Sequence, residues 1–203
     1  MKLYLDIETA IDENLNKELL ASLRERMKVD KFGKLLEEAA LNPLLNRVIA
    51  IGFAFGGEEP RCIIHKREVD TLEEFQTIMT HNLANLSPQV VTFNGSSFDI
   101  PNLQVAFAKM YMKFPLPIPH SKYNSDYYFD VRGFLTNFNQ FAIGTLEEWC
   151  MRFGVSLEKQ EISGGDIPML WENGDDHSLD VIAKKNNTDI KMLRNLSKHI
   201  IGE

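Results

Sequence analysis

A nearly continuous apolar run, residues 47–55 (RVIAIGFAF), constrains the fold of this chain more than any other segment. Gly56 and Gly57 close the run, so we interpret it as a central strand of a sheet. Further strands are predicted over residues 2–7, 61–65 and 89–93, and residues 127–131 form a possible edge strand. The chain is therefore expected to contain a sheet that other elements must cover.

Segments with apolar residues at helical spacing separate and follow the predicted strands. Residues 12–41 are charged but carry leucines at this spacing, so we interpret them as one or two helices inserted between strands. Further helices are predicted over residues 71–86, 100–112, 145–153 and 178–200. This order favours an α/β fold, a mixed sheet with helices on both faces.

Composition limits the classes of protein that this chain can represent. The 203 residues are 44% hydrophobic, enough for one core, so we expect residues 1–203 to form a single domain. No apolar run approaches the roughly 18 residues of a membrane span. The N-terminus does not resemble a signal peptide, and Cys62 and Cys150 lack metal-type spacing, so we expect a cytoplasmic protein. The net charge of −7 argues against a protein that coats nucleic acids, although it permits an enzyme that binds a few nucleotides.

Acidic residues stand at two of the predicted element ends. Asp6 and Glu8 are two positions apart where the first strand is predicted to end, so both side chains point to one face. Paired carboxylates repel each other unless they are protonated or bridged by a cation such as Mg²⁺ or Mn²⁺. Asp99 follows a buried strand and the Asn94-Gly95 turn. It is a candidate ligand for the same cation, or alternatively a cap of the following helix.

Two motifs carry a resemblance to a known family. The segments LYLDIET, at residues 3–9, and FNGSSFD, at residues 93–99, resemble the first two motifs of the DEDD superfamily of 3′–5′ exonucleases. The similarity is greatest to the predicted exonucleases related to the proofreading domain of family-B DNA polymerases. It continues through residues 42–48, 129–131, 144–148 and 164–166 to Asn187-Thr188-Asp189.

The resemblance implies a fold, an activity and a set of site residues. The fold would be RNase H-like, with the helical segment of residues 12–41 as an insertion. The activity would be the removal of nucleotides from a 3′ end, with two Mg²⁺ or Mn²⁺ ions bound by Asp6, Glu8, Asp99 and Asp189. Asn94 and Phe98 would contact the terminal nucleotide.

Lys185 departs from the family pattern. Tyrosine-type members have a water-orienting tyrosine four residues before the last aspartate, and histidine-type members have a histidine five residues before it. This chain has Lys185 and Lys184 at those positions. Lys185 and Asp189 can pair along a helix surface at their i,i+4 spacing. We therefore predict Lys185 as a catalytic-site residue of an enzyme that works slowly.

Several other residues are weaker candidates. His177 could lean towards the site, and Tyr123, Tyr127 and Tyr128 could stack on bases. The prolines of residues 115–119 mark a loop that could face the substrate. Lys191, Arg194 and Lys198 form a basic stripe on the last predicted helix, for which a solvated face is the simpler interpretation.

Three hypotheses for the function remain open at this stage. The first is a metal-dependent 3′–5′ exonuclease acting on single-stranded DNA. The second is an RNA-trimming 3′–5′ exonuclease, which would differ only in how its pocket treats the 2′-hydroxyl. The third is a catalytically impaired RNase H-like module that binds nucleic acid, and the presence of Lys185 is the reason to keep it.

Overall fold

Five strands form one sheet in the computed structural model, which describes residues 1–84, 86–117, 126–139, 143–157 and 160–202. The strands are β1 (Lys2–Ile11), β2 (Asn46–Phe55), β3 (Arg61–Ile64), β4 (Gln89–Thr92) and β5 (Tyr128–Asp130). Their order across the sheet is β3-β2-β1-β4-β5. The predicted central strand β2 has a neighbour on each side, and β5 lies at an edge as predicted.

The sheet is mixed, as the sequence predicts. β1 and β3 are both antiparallel to β2, whereas β4 is parallel to β1 and β5 is parallel to β4. One prediction is wrong in detail: β1 does not end near Ile7 but continues to Ile11, with a register shift between Glu8 and Thr9. Pairing with the long strand β2 extends it, so Asp6 and Glu8 lie within the strand and not at its end.

Eight α-helices accompany the sheet within the described residues. They are α1 (Lys17–Arg26), α2 (Val29–Glu37), α3 (Glu68–Asn82), α4 (Asp99–Lys109), α5 (Val131–Thr136), α6 (Leu146–Phe153), α7 (Ile167–Asn173) and α8 (Asp176–Ile201). The helices α1 and α2 confirm the helical character of residues 12–41. The sequence did not predict α5 and α7, which have six and seven residues, too short for a periodic pattern.

Helices cover both faces of the sheet. On one face Leu3 and Leu5 of β1 pack in a buried cluster with Phe75 of α3 and Leu103 of α4. On the other face Tyr4 belongs to a second cluster built largely from α8 and α6. Because side chains alternate along a strand, Asp6 and Glu8 share the α8 face with Tyr4. The predicted α/β architecture is confirmed.

Local signals explain where some of these helices begin and end. Thr145 and Glu148 form a capping box at the start of α6, in which each side chain accepts the other residue's backbone N–H. Gly154 ends that helix in the left-handed conformation, at the stop that the sequence predicts. None of the helices in the described ranges is long and apolar enough to cross a membrane. That residues 1–203 form one domain stays a prediction.

Candidate metal centre

Three carboxylates meet on the face of the sheet that α8 covers. Asp6 and Glu8 come from β1, and Asp189 comes from α8. One oxygen from each of the three carboxylates lies within 4.8 Å of the other two. The long helix thus brings an acid from the C-terminal part of the chain to two acids near its start.

Asp99 is the fourth predicted ligand and lies beside this trio. It is the first residue of α4, and its Oδ1 accepts the backbone N–H of Ile7 at 3.1 Å, across 92 positions of sequence. Phe98 occupies the N-cap position, and it makes no side-chain capping bond. Asp99 is therefore hydrogen-bonded to β1, the strand that carries Asp6 and Glu8. Capping of its own helix does not account for this contact.

Burial and mutual repulsion disfavour negative charge on these acids. Burial, and then the charges of Asp189 and Asp99, raise the pKa of Asp6 well above its usual value. Burial also raises the pKa of Glu8, although Lys185 opposes the shift. The pKa of Asp99 rises to about 8, first through burial and then through the nearby charge of Asp130. A cation bound here would relieve this cost, because it favours the ionised carboxylates.

Lys185 places an ammonium group between two of the three carboxylates. Its Nζ lies 2.8 Å from Oε1 of Glu8 and 2.7 Å from Oδ2 of Asp189, and its side chain is only 10% exposed. Burial lowers the pKa of Lys185, but the charges of Glu8 and Asp189 outweigh burial and raise it above its usual value. A lysine that keeps its proton cannot accept one from water, so Lys185 contributes a positive charge to this cluster of acids.

Two amide side chains that the sequence analysis missed hold the same carboxylates. Asn186 is fully buried and donates from Nδ2 to Oδ2 of Asp6 at 2.7 Å. Gln160 donates to Oδ1 of Asp189. Amides carry no charge and follow no spacing rule, so the sequence offered no signal for Gln160. Asn186 could have been suspected only because it lies next to the motif that contains Asp189.

Asp130 fixes the loop that leads into α4, and the sequence analysis did not name it as a site residue. Its carboxylate accepts the backbone N–H groups of Asn94 at 2.9 Å, Ser96 at 3.0 Å and Gly133 at 2.9 Å. Asn94 has a φ of 64°, a conformation that asparagine adopts more readily than most residues. Asp130 thus sets the position of the loop that delivers Asp99.

A cavity of about 430 Å³ opens beside these carboxylates. The predicted substrate-binding residues Asn94 and Phe98 line it. So do Asp6, Glu8, Asp99 and Lys185. All seven predicted site residues therefore lie at or around one centre, and their roles stay predictions.

Other candidates from the sequence lie elsewhere. His177 is exposed at the start of α8. Tyr128 is buried and its hydroxyl bonds to Oγ1 of Thr92 at 2.9 Å, so it cannot stack on a base, whereas Tyr127 is exposed. Tyr123 and Pro119 lie outside the described residues.

The basic stripe on α8 has protein partners. The guanidinium of Arg194 donates to the backbone carbonyl of Glu58 at 2.6 Å, and Lys191 lies 3.7 Å from the carboxylate of Glu59. Both partners belong to the turn between β2 and β3. These contacts give Lys191 and Arg194 a structural role in holding α8 against that turn.

Comparison with known proteins agrees with this architecture. A family model of the RNase H superfamily matches residues 36–201, most of the chain. The chain belongs to the RNase H superfamily. The matched range includes Asp99, Lys185 and Asp189. Asp6 and Glu8 precede this range, but in the structure their carboxylates lie close to that of Asp189. Among curated proteins no match was found.

A solved structure shares the fold of this RNase H superfamily member. It is the family B DNA polymerase from the hyperthermophilic archaeon Pyrobaculum calidifontis, with a TM-score of 0.66 and 16% sequence identity. The similarity covers 98% of this chain and 24% of the polymerase, so the chain spans about a quarter of that protein's length. The two comparisons together confirm the resemblance to DEDD-type exonucleases that the motifs predict.

The residues of this centre suit the cofactors of the superfamily. RNase H-like nucleases generally use divalent metal ions, and the acids present here supply only carboxylate oxygens. Hard cations such as Mg²⁺ and Mn²⁺ prefer oxygen ligands. The donor set and the unfavourable burial of several acids together fit a divalent cation.

The raised pKa values predict an unusual pH dependence for the metal-free protein. An acid whose pKa is higher in the folded state stabilises the fold below its unfolded pKa of about 4 and loses this contribution as pH rises. For Asp99 the loss is complete near pH 8. We therefore expect the free energy of unfolding, measured with urea in the presence of EDTA, to fall between pH 5 and pH 8.

Two comparisons test the origin of this pH dependence. The decline should be shallower in Asp99→Asn, and saturating Mg²⁺ should reduce it because the cation favours the ionised acids. A metal-free protein whose stability is constant or increases over this range would contradict the assignment of raised pKa values to the centre.

Gly52 of β2 provides the space that Asn186 occupies. A Cβ atom at this position would lie 1.8 Å from Oδ1 of Asn186, so the amide would have to move and release Asp6. We expect Gly52→Ala to lower the free energy of unfolding by about 2 kcal/mol, the usual cost of overpacking, and to weaken Mn²⁺ binding. Gly57→Ala is the matched control, because no atom lies within 4 Å of its added Cβ. Equal stability of the two variants in urea would refute this role of Gly52.

Proposed function

We propose that this chain is a divalent-metal-dependent 3′–5′ exonuclease that removes nucleotides from the 3′ end of single-stranded DNA. The observation that carries the proposal is the convergence of Asp6, Glu8 and Asp189 within 4.8 Å, with Asp99 fastened beside them. Membership in the RNase H superfamily supports a nuclease-type activity.

In the two-metal arrangement that the resemblance implies, the four acids would hold the cations, Mg²⁺ or Mn²⁺. When bound, such ions lower the pKa of water and stabilise the charge that develops on a phosphodiester. The protein's part is to present the carboxylates in a fixed arrangement. Asn186 holds Asp6, Gln160 holds Asp189, and the backbone of Ile7 holds Asp99. These contacts restrain the ligands before a substrate arrives.

The cavity beside the carboxylates supports a substrate that enters by its end. Its volume of about 430 Å³ lies within the range of about 300–1,000 Å³ that is typical of small-ligand pockets. A pocket of this size accommodates a terminal nucleotide better than a continuous duplex. Phe98 offers an aromatic face to a base, and Asn94 offers an amide.

The position of Lys185 supports a role for its positive charge in this site. Its ammonium group lines the cavity and contacts Glu8 and Asp189. A protonated lysine cannot serve as the general base, but it attracts the phosphate of the substrate as a point charge. The same contacts also motivate the alternative of a catalytically impaired module that binds nucleic acid.

A polarity assay tests the proposed function. The protein is incubated with 3′-labelled and 5′-labelled single strands of DNA and RNA in Mn²⁺, Mg²⁺ or EDTA. We expect labelled mononucleotide from the 3′-labelled DNA at the first step, a gradually shortened ladder from the 5′-labelled DNA, and no reaction in EDTA. Asp6→Asn should be inactive, because it lacks one of the converging carboxylates. The variant, purified in the same way, therefore also controls for a contaminating nuclease.

Each other result of this assay supports a different function. Faster degradation of RNA than of DNA would favour the RNA-trimming enzyme. A mononucleotide released first from the 5′ end would contradict the proposed direction. Binding of labelled strands without cleavage in any metal would favour the binding module.

A further inference from the structure

The ammonium group of Lys185 lies where the three carboxylates would otherwise bind a cation. It contacts Glu8 and Asp189, two members of the trio, at 2.8 Å and 2.7 Å. The third member, Asp6, is held instead by the amide of Asn186. A divalent ion coordinated by all three acids would have to displace this ammonium group.

Asp189 is the acid most fully occupied by protein partners. Lys185 donates to its Oδ2 and Gln160 donates to its Oδ1. Both oxygens of this carboxylate are thus engaged before any cation is present. Asp6 and Asp99, by contrast, are contacted by neutral groups, the amide of Asn186 and the backbone of Ile7. A cation held by these two acids would leave the ammonium group in place.

The side chain of Lys185 is also confined. It is 10% exposed, whereas its neighbour Lys184 is 68% exposed and pairs with Asp180 on the outer surface of α8. Withdrawing the ammonium group of Lys185 would leave the buried carboxylate of Glu8 and the partly buried carboxylate of Asp189 without their positive partner, which is costly away from water. The contacts therefore favour an ammonium group that remains between Glu8 and Asp189 when a divalent ion binds to the centre.

We propose that Lys185 serves as a built-in cation of this centre, so that the chain binds one divalent ion, held by Asp6 and Asp99, and not two. The inference rests on the proposed function, because it assumes that these acids bind catalytic metal. It replaces the expectation of a two-metal site with a centre that combines one metal ion and one ammonium group.

The number of bound Mn²⁺ ions tests this inference without measuring activity. Calorimetric titration and the electron paramagnetic resonance signal of free Mn²⁺ both give the number of sites. We expect one site in the wild-type protein and in Lys184→Met, the matched control on the same helix. In Lys185→Met, which keeps an apolar stem and removes the charge, we expect two sites.

The possible counts separate this inference from the proposed function. Two sites in the wild-type protein, or one site in both the wild type and Lys185→Met, would overturn the inference and leave a metal-dependent nuclease possible. No site in either protein would overturn the inference and the proposed function together. If Lys185→Met does not fold, Lys185→Gln provides the same comparison with a neutral polar side chain.

Thermal melting gives a second readout. In EDTA, Lys185→Met should melt at a lower temperature than Lys184→Met, because its carboxylates have lost their cation. Saturating Mn²⁺ should raise the melting temperature of Lys185→Met more than that of the wild type, because two ions bind the variant and one binds the wild type. Equal Mn²⁺-induced shifts in the two proteins would contradict the substitution of an ammonium group for a metal ion.

Discussion

We expect Asp99→Asn to abolish the removal of nucleotides from a labelled 3′ end while the protein stays folded. The variant loses a negative charge that the cation needs and keeps the size and shape of the side chain. Loss of outer partners of metal ligands already costs about 10–100-fold in affinity or activity, so loss of a ligand should cost more than about 100-fold. The measurement is the initial cleavage rate at saturating Mn²⁺.

A surface aspartate provides the control for this substitution. Asp180→Asn removes a charge from an exposed residue of α8 whose partner is Lys184, so it should cleave at the wild-type rate. Circular dichroism and urea unfolding show whether Asp99→Asn is folded. A folded Asp99→Asn variant with undiminished turnover would exclude Asp99 as a ligand.

We expect Lys185→Tyr to accelerate cleavage. The wild-type lysine is positively charged and cannot accept a proton from water, whereas a tyrosine hydroxyl at this position orients water in the tyrosine-type exonucleases that the chain resembles. Loss of the ammonium group also frees Glu8 and Asp189 for a second divalent ion. Positioned proton-transfer groups contribute about 10²–10⁴-fold, so we expect an increase of about tenfold or more in the initial rate.

Whether Lys185→Tyr cleaves faster or slower than the wild type shows whether Lys185 slows cleavage or is needed for it. Rates are compared with a labelled single strand at saturating Mn²⁺, with Lys184→Tyr as the control on the outer surface of the helix. A slower Lys185→Tyr variant would mean that the lysine has a catalytic role that tyrosine and a second ion cannot replace. If neither protein cleaves any substrate, the binding-module hypothesis becomes the better one.

The sheet was predictable because its strands carry strong local signals. The apolar run of β2 and the glycines after it suffice to place an interior strand. The full length of β1 was not predictable, because pairing with β2 extends it past two acidic residues that look like a strand end. Similarly, α5 and α7 are too short to show a helical period, and packing against longer elements determines them.

The candidate site was predictable where charged residues form motifs. The spacing of Asp6 and Glu8 determines their common face, and the resemblance connects them with Asp99 and Asp189. The supporting amides Asn186 and Gln160 were not predictable, because their contacts depend on how α8 and the segment before α7 pack. The sequence shows Lys185 as a departure from the family pattern, but only the structure shows its bridge to Glu8, 177 positions away.

Anomalous diffraction from a crystal soaked in Mn²⁺ tests the central claim most directly. We expect a peak at Asp6 and Asp99, with carboxylate oxygens at about 2.1 Å, close to the distances of oxygen ligands around small divalent cations. The peak should disappear in Asp6→Asn. A crystal of the wild-type protein with no Mn²⁺ at these acids, or with Mn²⁺ bound only elsewhere, would contradict the assignment of this site as a metal centre.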